Sequence, residues 1–166
     1  MAERALQDLP AEKSARYAAV AAEISAVISG EPNRIARYAS AACLLSHAFA
    51  ERFLWTGFYI VDADRPDELV VGPYQGTLGC LRIAFGAGVC GAAAARRQTV
   101  LVADVHAFPG HIACDSRSNS EIVVPVFDAE GRLAAVLDVD SALPAAFDAE
   151  DQAGLEGICA TLLSAA

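Results

Sequence analysis

The sequence predicts an α+β domain with a mostly antiparallel sheet and helices grouped against it. Three observations carry that prediction. Two segments of helical periodicity come first, a run of short β-branched and aromatic segments joined by turns follows, and one more amphipathic segment closes the chain. With 166 residues, one domain spanning 1–166 is expected, large enough to bury a core without disulfide or metal staples. It divides into N-terminal helices (1–50), sheet and loops (53–140) and a C-terminal helix (148–165).

Residues 10–29 read as the first helix. Tyr17, Val20, Ile24, Val27 and Ile28 recur at helical spacing, and Gly30 stops it. Pro32 suits the first turn of a second helix, which carries Ile35, Ala39, Ala42, Leu45 and Phe49 towards the core. Phe53 to Val61 has the aromatic and β-branched content of a strand, and Asp62 to Asp67 reads as a hairpin turn. Leu69 to Tyr74 and Cys80 to Phe85 are two more strands. Gly86-Ala87-Gly88-Val89-Cys90-Gly91 reads as a glycine-rich turn opening a short alanine helix, Ala92 to Arg97. A lone pattern of this kind is weak evidence for phosphate binding. Thr99 to Val105 is a strand, 106–120 is a polar loop, and Glu121 to Phe127 and Leu133 to Val139 form a hairpin. Asp148 can cap the last helix, with Asp151 in its first turn and Leu155, Ile158, Leu162 and Leu163 as its apolar stripe.

The net charge is −9, and no basic stripe appears, which argues against a nucleic-acid partner. No run reaches the roughly 18 apolar residues of a membrane span. Met1 to Pro10 lacks an apolar signal region, so a cytoplasmic protein is expected. Five cysteines are present: Cys43, Cys80, Cys90, Cys114 and Cys159. In a reducing compartment structural disulfides are a poor explanation. Without a CxxC pair, so is zinc.

Cys43 and Cys159 sit on helices among apolar neighbours and read as core residues. Cys80, Cys90 and Cys114 lie in glycine-rich or polar turns or near a helix start, where a thiolate can be exposed and stabilised. For this trio, a redox or nucleophilic role and simple corner-filling both stay open. A Cys/His hydrolase competes on paper, but closeness in sequence does not set a ring nitrogen on a sulfur. His106 and His111 read as surface or loop-ordering residues. Glu121, Asp138, Asp140 and Asp115 stand out as acids in a β-rich region, where burial demands pairing or function. Asp138 and Asp140 share a strand face, as do Trp55 and Tyr59. A solvated strand end and core packing are the competing readings for these two pairs.

Taken together, these residues resemble one family. The matching stretches are Trp55-Thr56-Gly57-Phe58-Tyr59, Gly72-Pro73-Tyr74-Gln75-Gly76 with Cys80 and Arg82-Ile83, and Gly88-Val89-Cys90-Gly91. Asp104-Val105-His106, Gly110-His111-Ile112-Ala113-Cys114-Asp115, Ser118-Asn119-Ser120-Glu121-Ile122-Val123 and Leu137-Asp138-Val139-Asp140-Ser141 complete the set. The chain is similar to the free methionine-R-sulfoxide reductases from about Phe53 to its end, and the upstream helices are compatible. The resemblance implies a six-stranded antiparallel sheet of GAF type, a homodimer and thioredoxin as external reductant, with no metal or organic cofactor. It implies Cys114 as the attacking thiol and Cys80 as the resolving one, with Cys90 held in reserve for either role. Glu121, Asp138 and Asp140 would hold the substrate ammonium and steer the oxygen, with Glu121 as the protonated acid. Trp55 and Tyr59 would wall the methyl group. Two readings compete: a sensory GAF module binding a small ligand without catalysis, and a reductase of peptide-bound methionine sulfoxide.

Overall fold

The computed structural model describes residues 9–112 and 115–163; Cys114 therefore lies outside the described residues. Four α-helices and six strands follow the predicted order. Helix α1 spans Lys13–Ile28, and its first N–H groups donate to the Glu12 carboxylate. Helix α2 spans Arg34–Ala48 and is capped by the Asn33 side chain. Pro32 thus precedes the cap instead of sitting in the first turn. Strands β1 (Trp55–Val61), β2 (Glu68–Gln75) and β3 (Arg82–Ala84) come next. Helix α3 covers Gly88–Arg96, so Cys90 lies inside its first turn and not in a preceding loop. Strands β4 (Val100–Val102), β5 (Ser120–Phe127) and β6 (Leu133–Ser141) precede helix α4 (Ala149–Leu162).

Three strands are shorter than predicted; the first begins at Trp55 and not at Phe53. The expected strand from Cys80 contracts to Arg82–Ala84, leaving Cys80 in the loop before it. The expected strand Thr99 to Val105 ends at Val102, because the Asp104 side chain accepts the His106 N–H and caps a single 3-10 turn over Val105–Ala107. Asp148 does cap α4. It forms a reciprocal box with Asp151, whose buried carboxylate also takes Tyr17 Oη, Lys13 Nζ and both Arg52 nitrogens.

The sheet is antiparallel throughout, in the order β3-β2-β1-β6-β5-β4. Strand alternation divides its residues between two cores. On one face Phe58, Ile122, Val124, Val126, Ala135, Leu137 and Val139 pack against α1, α2 and α4. The α2 stripe departs from the predicted one in its first turns. Tyr38, Ala41, Ala42 and Leu45 are buried, whereas Ile35 and Ala39 are exposed. The Tyr38 ring stacks on Phe58 at 4.5 Å, and that large flat contact orients the helix. Val27, which shares the helical spacing of α1, is likewise exposed. On the other face Trp55, Tyr59, Val123 and Val136 meet α3 through Val89, Cys90, Ala93 and Ala94. This second face also carries Glu121, Asp138 and Asp140, and a pocket opens there. Among the described residues no helix is long and apolar enough to cross a membrane.

Candidate active site

The pocket is built on the three central strands and closed by α3 and two loops. Trp55 and Tyr59 come from β1, Glu121 from β5, Asp138 and Asp140 from β6, and Cys90 from α3; all six line it. The β1–β6 and β5–β6 registers pair Gly57 with Asp138 and Glu121 with Asp140, so the carboxyls arrive on adjacent strands.

One wall is aromatic. The Trp55 ring stacks on Tyr59 at 5.6 Å and on Tyr74 at 5.1 Å. Gly57 makes that stack possible, since a Cβ there would fall 2.2 Å from Tyr74 Cβ and 2.6 Å from the Trp55 ring. Gly79 has a similar role, because a Cβ there would lie 2.9 Å from Tyr59 Oη. The loops are tied to this wall. Trp55 Nε1 donates to the Thr77 carbonyl at 2.9 Å, and Thr77 Oγ1 donates to Asp115 Oδ2 at 2.7 Å. Arg117, and then Thr77, hold the Asp115 carboxyl well below the ordinary carboxylate range. Asp115 is therefore an anionic strut between loops.

Beside the aromatic wall on the same sheet face lies a polar surface. Glu121 and Asp138 are each 6% exposed. Burial pushes both carboxyls up, and the neighbouring acids add to this. Within the pair the hydrogen bond acts in opposite senses, raising Glu121 and lowering Asp138. Asp140 is pushed up to about 6, first by burial, while a hydrogen bond from Ser118 opposes the shift. Burial and Asp138 raise the Cys90 thiol, and its S–H donates to Asp138. Asp138 Oδ1 is buried without a partner of its own. An ionisable oxygen left bare in a pocket is a place for a cationic or donor group of a ligand.

Cys90 Sγ and one oxygen each of Glu121 and Asp138 lie within 4.8 Å of one another, the one such donor group among the described residues. Burial favours the neutral forms of these groups, and Cys90 and Glu121 each bond to Asp138 instead of presenting the anionic cage a cation requires.

Of the two readings of His111, surface or loop-ordering, the first does not hold. His111 is not a surface residue: its ring lines the pocket, and Nε2 stands 3.8 Å from Glu121 Oε2. Its closeness in sequence to Cys114 did not show this, because the contact depends on where β5 starts. His106 does order its loop, with Nε2 3.2 Å from Asn119 Oδ1. Cys80 follows Gly79 at the pocket edge; its backbone N–H donates to Tyr59 Oη, and its sulfur is held in a disulfide. Cys43, Cys90 and Cys159 are free thiols. Cys159 is buried, as expected of a core residue, but Cys43 is only half-buried, with Sγ 3.8 Å from His47 Nδ1.

Comparison with known proteins bears on the family and the fold. A GAF domain family model matches residues 34–165. The free methionine-R-sulfoxide reductase of Escherichia coli is 41% identical over 150 residues, covering 90% of this chain and 88% of that protein. The enzyme of the same name from Saccharomyces cerevisiae is 41% identical over 130 residues, covering 76% and 72%. Among solved structures, the free methionine-R-sulfoxide reductase of Neisseria meningitidis in complex with its substrate superposes with a TM-score of 0.89. It shares 46% identity, covering 95% of this chain and 92% of that one.

Proposed function

The chain is a GAF-domain protein of the free methionine-R-sulfoxide reductase family, and from that premise we propose that it reduces free L-methionine-(R)-sulfoxide to L-methionine with its own thiols. The observation that carries the reading is the meeting of two surfaces in one pocket. An aromatic stack suits a methyl-bearing side chain, and three carboxyls, one with a bare buried oxygen, lie beside it on the same sheet face. A free amino acid brings an ammonium to such a wall; a peptide does not.

The reaction then runs in two steps. The Cys114 thiolate attacks the sulfoxide sulfur while Glu121 gives a proton to the oxygen. The attack forms a bond between the two sulfurs. The protonated oxygen then passes to the Cys114 sulfur as the S–O and S–S bonds of the adduct break, methionine leaves as the thioether, and Cys114 holds the oxygen as a sulfenic acid. The Cys80 thiol displaces that oxygen as water and closes a disulfide. A dithiol reductant, thioredoxin in this reading, opens it by exchange and is itself oxidised. The disulfide-held state of Cys80 is compatible with the oxidised end of this cycle. Cys90 is a poor nucleophile by comparison, because burial and Asp138 favour its thiol form. In this proposal Asp138 and Asp140 meet the ammonium, whose charge offsets the cost of ionising them. A cytoplasmic homodimer without metal or organic cofactor completes the reading.

The test is turnover with thioredoxin of free methionine-R-sulfoxide, its S epimer and a peptide-bound sulfoxide. Only the free R epimer should react rapidly, since a site built to pair a charge rejects analogues that leave its own groups unpaired. Comparable turnover of the peptide would sink the proposal. Inertness towards all three would return the chain to the ligand-sensing class.

A further inference from the structure

The pocket holds one basic side chain among its described lining residues, the imidazole of His111. We propose that His111 is a positioning and proton-carrying residue that acts through Glu121. The inference rests on the reductase reading given above.

Three observations point to it. The first is geometry. Nε2 lies 3.8 Å from Glu121 Oε2, too long for a direct hydrogen bond but within reach of a movement of about 1 Å or of one bridging water. The second is placement. The His111 side chain is 14% exposed and the Glu121 side chain 8%, so the ring touches solvent while standing next to the more buried acid. Gly110, at φ +72°, turns the chain just before it, and the His111 backbone N–H donates to the Phe108 carbonyl, which fixes the start of the loop. The third is charge. Glu121 on β5, Asp138 and Asp140 on β6, Cys90 on α3 and Asp115 on the same loop line the pocket with the ring, and His106 lies near it. Burial and then His106 lower the imidazole, so near neutral pH it is uncharged, with one nitrogen free to accept a proton and the other to donate.

The chemistry requires such a carrier. The attacking thiol loses a proton on ionising, and Glu121 delivers a proton to the sulfoxide oxygen. The two balance only if Glu121 is reprotonated before the next turnover. His111 can take a proton at Nδ1 from the solvent side and pass one from Nε2 to Glu121, ending as the other tautomer. One proton moves and nothing is oxidised or reduced.

The experiment compares wild type, His111→Ala and His111→Gln in steady-state turnover of free methionine-R-sulfoxide, with and without added imidazole. His111→Ala should lose about 10- to 100-fold in kcat, the scale of acid–base assistance, with KM within about threefold. Imidazole should restore kcat in a saturable way. His111→Gln, which fills the space but carries no proton, should stay slow with an unchanged melting temperature. Wild-type kcat in either variant, a loss confined to KM, or a slow His111→Ala that imidazole does not raise would overturn the inference. Failure of the wild type itself to turn over would instead overturn the reductase reading.

Discussion

At the scale of single residues, the pocket favours the protonated form of its acids. Glu121 is raised first by burial and then by Asp138 and Asp140 beside it. Thiolate attack on a sulfoxide builds negative charge on oxygen, and a carboxylic acid still protonated at neutral pH can quench that charge. Glu121→Gln retains a donor but cannot release a proton. It should slow the formation of the sulfenic acid by roughly 10²-fold, measured as methionine released in a single turnover. The wild-type rate should fall as pH rises through the raised Glu121 value, and the variant should be flat there. An unchanged single-turnover rate in a folded Glu121→Gln protein would remove Glu121 from the mechanism.

At the scale of elements, β1 sets the pocket through a residue with no side chain. Gly57 lies under the Trp55–Tyr74 stack, and the nearest atom to an added Cβ is another Cβ, which backbone geometry holds in place. Gly57→Ala should therefore cost about 1–3 kcal/mol of stability, the usual penalty of overpacking, and weaken substrate binding by tilting the indole. Urea unfolding and KM are the measurements; a variant as stable as wild type would contradict this packing. Strands β1, β5 and β6 were legible because long β-branched runs admit few alternatives. The ends of β3 and β4 were not, since hydrophobic pattern does not record where partner strands stop or where a side chain such as Asp104 caps a turn. The first turns of α2 were misread for a related reason, whereas Ala42, Leu45 and Phe49 are buried as expected. Ile35 and Ala39 form a legitimate stripe, but the Tyr38 ring finds Phe58 and wins. The carboxyls could be picked out as acids in strands. The place of His111 could not, because the register that brings β5 beside its loop is a tertiary fact.

At the scale of the whole molecule, the sheet separates stability from chemistry. One face is closed by three helices over an apolar core, and the other buries acids at a cost. The sign of that cost with pH is determinate. Glu121, Asp138 and Asp140 have folded values raised above the unfolded ones, near 4. Their contribution is thus fully favourable below about pH 4 and is lost as pH rises, through about 6 for Asp140 and higher for the others. Asp148, lowered to about 2 by Lys13, works in the opposite direction, but only at more acid pH. Asp138→Asn should therefore stabilise the substrate-free protein more at pH 8 than at pH 5, by ~1 kcal/mol or about 2–4 °C, while impairing turnover. Equal shifts in melting temperature at the two pH values would show that Asp138 carries no ionisation penalty in the folded state.

The chain has a single tryptophan, and it is Trp55. Its indole lies against two tyrosines, and its N–H is tied to the Thr77 carbonyl, three residues before Cys80. The intrinsic ultraviolet emission of this protein thus originates at one wall of one pocket, undiluted by any distant indole. Ligand entry changes the polarity around that chromophore, and opening the disulfide at Cys80 frees the loop that holds it. Both events are written into an optical signal that requires no label, so binding and reduction can be followed in real time on the unmodified chain.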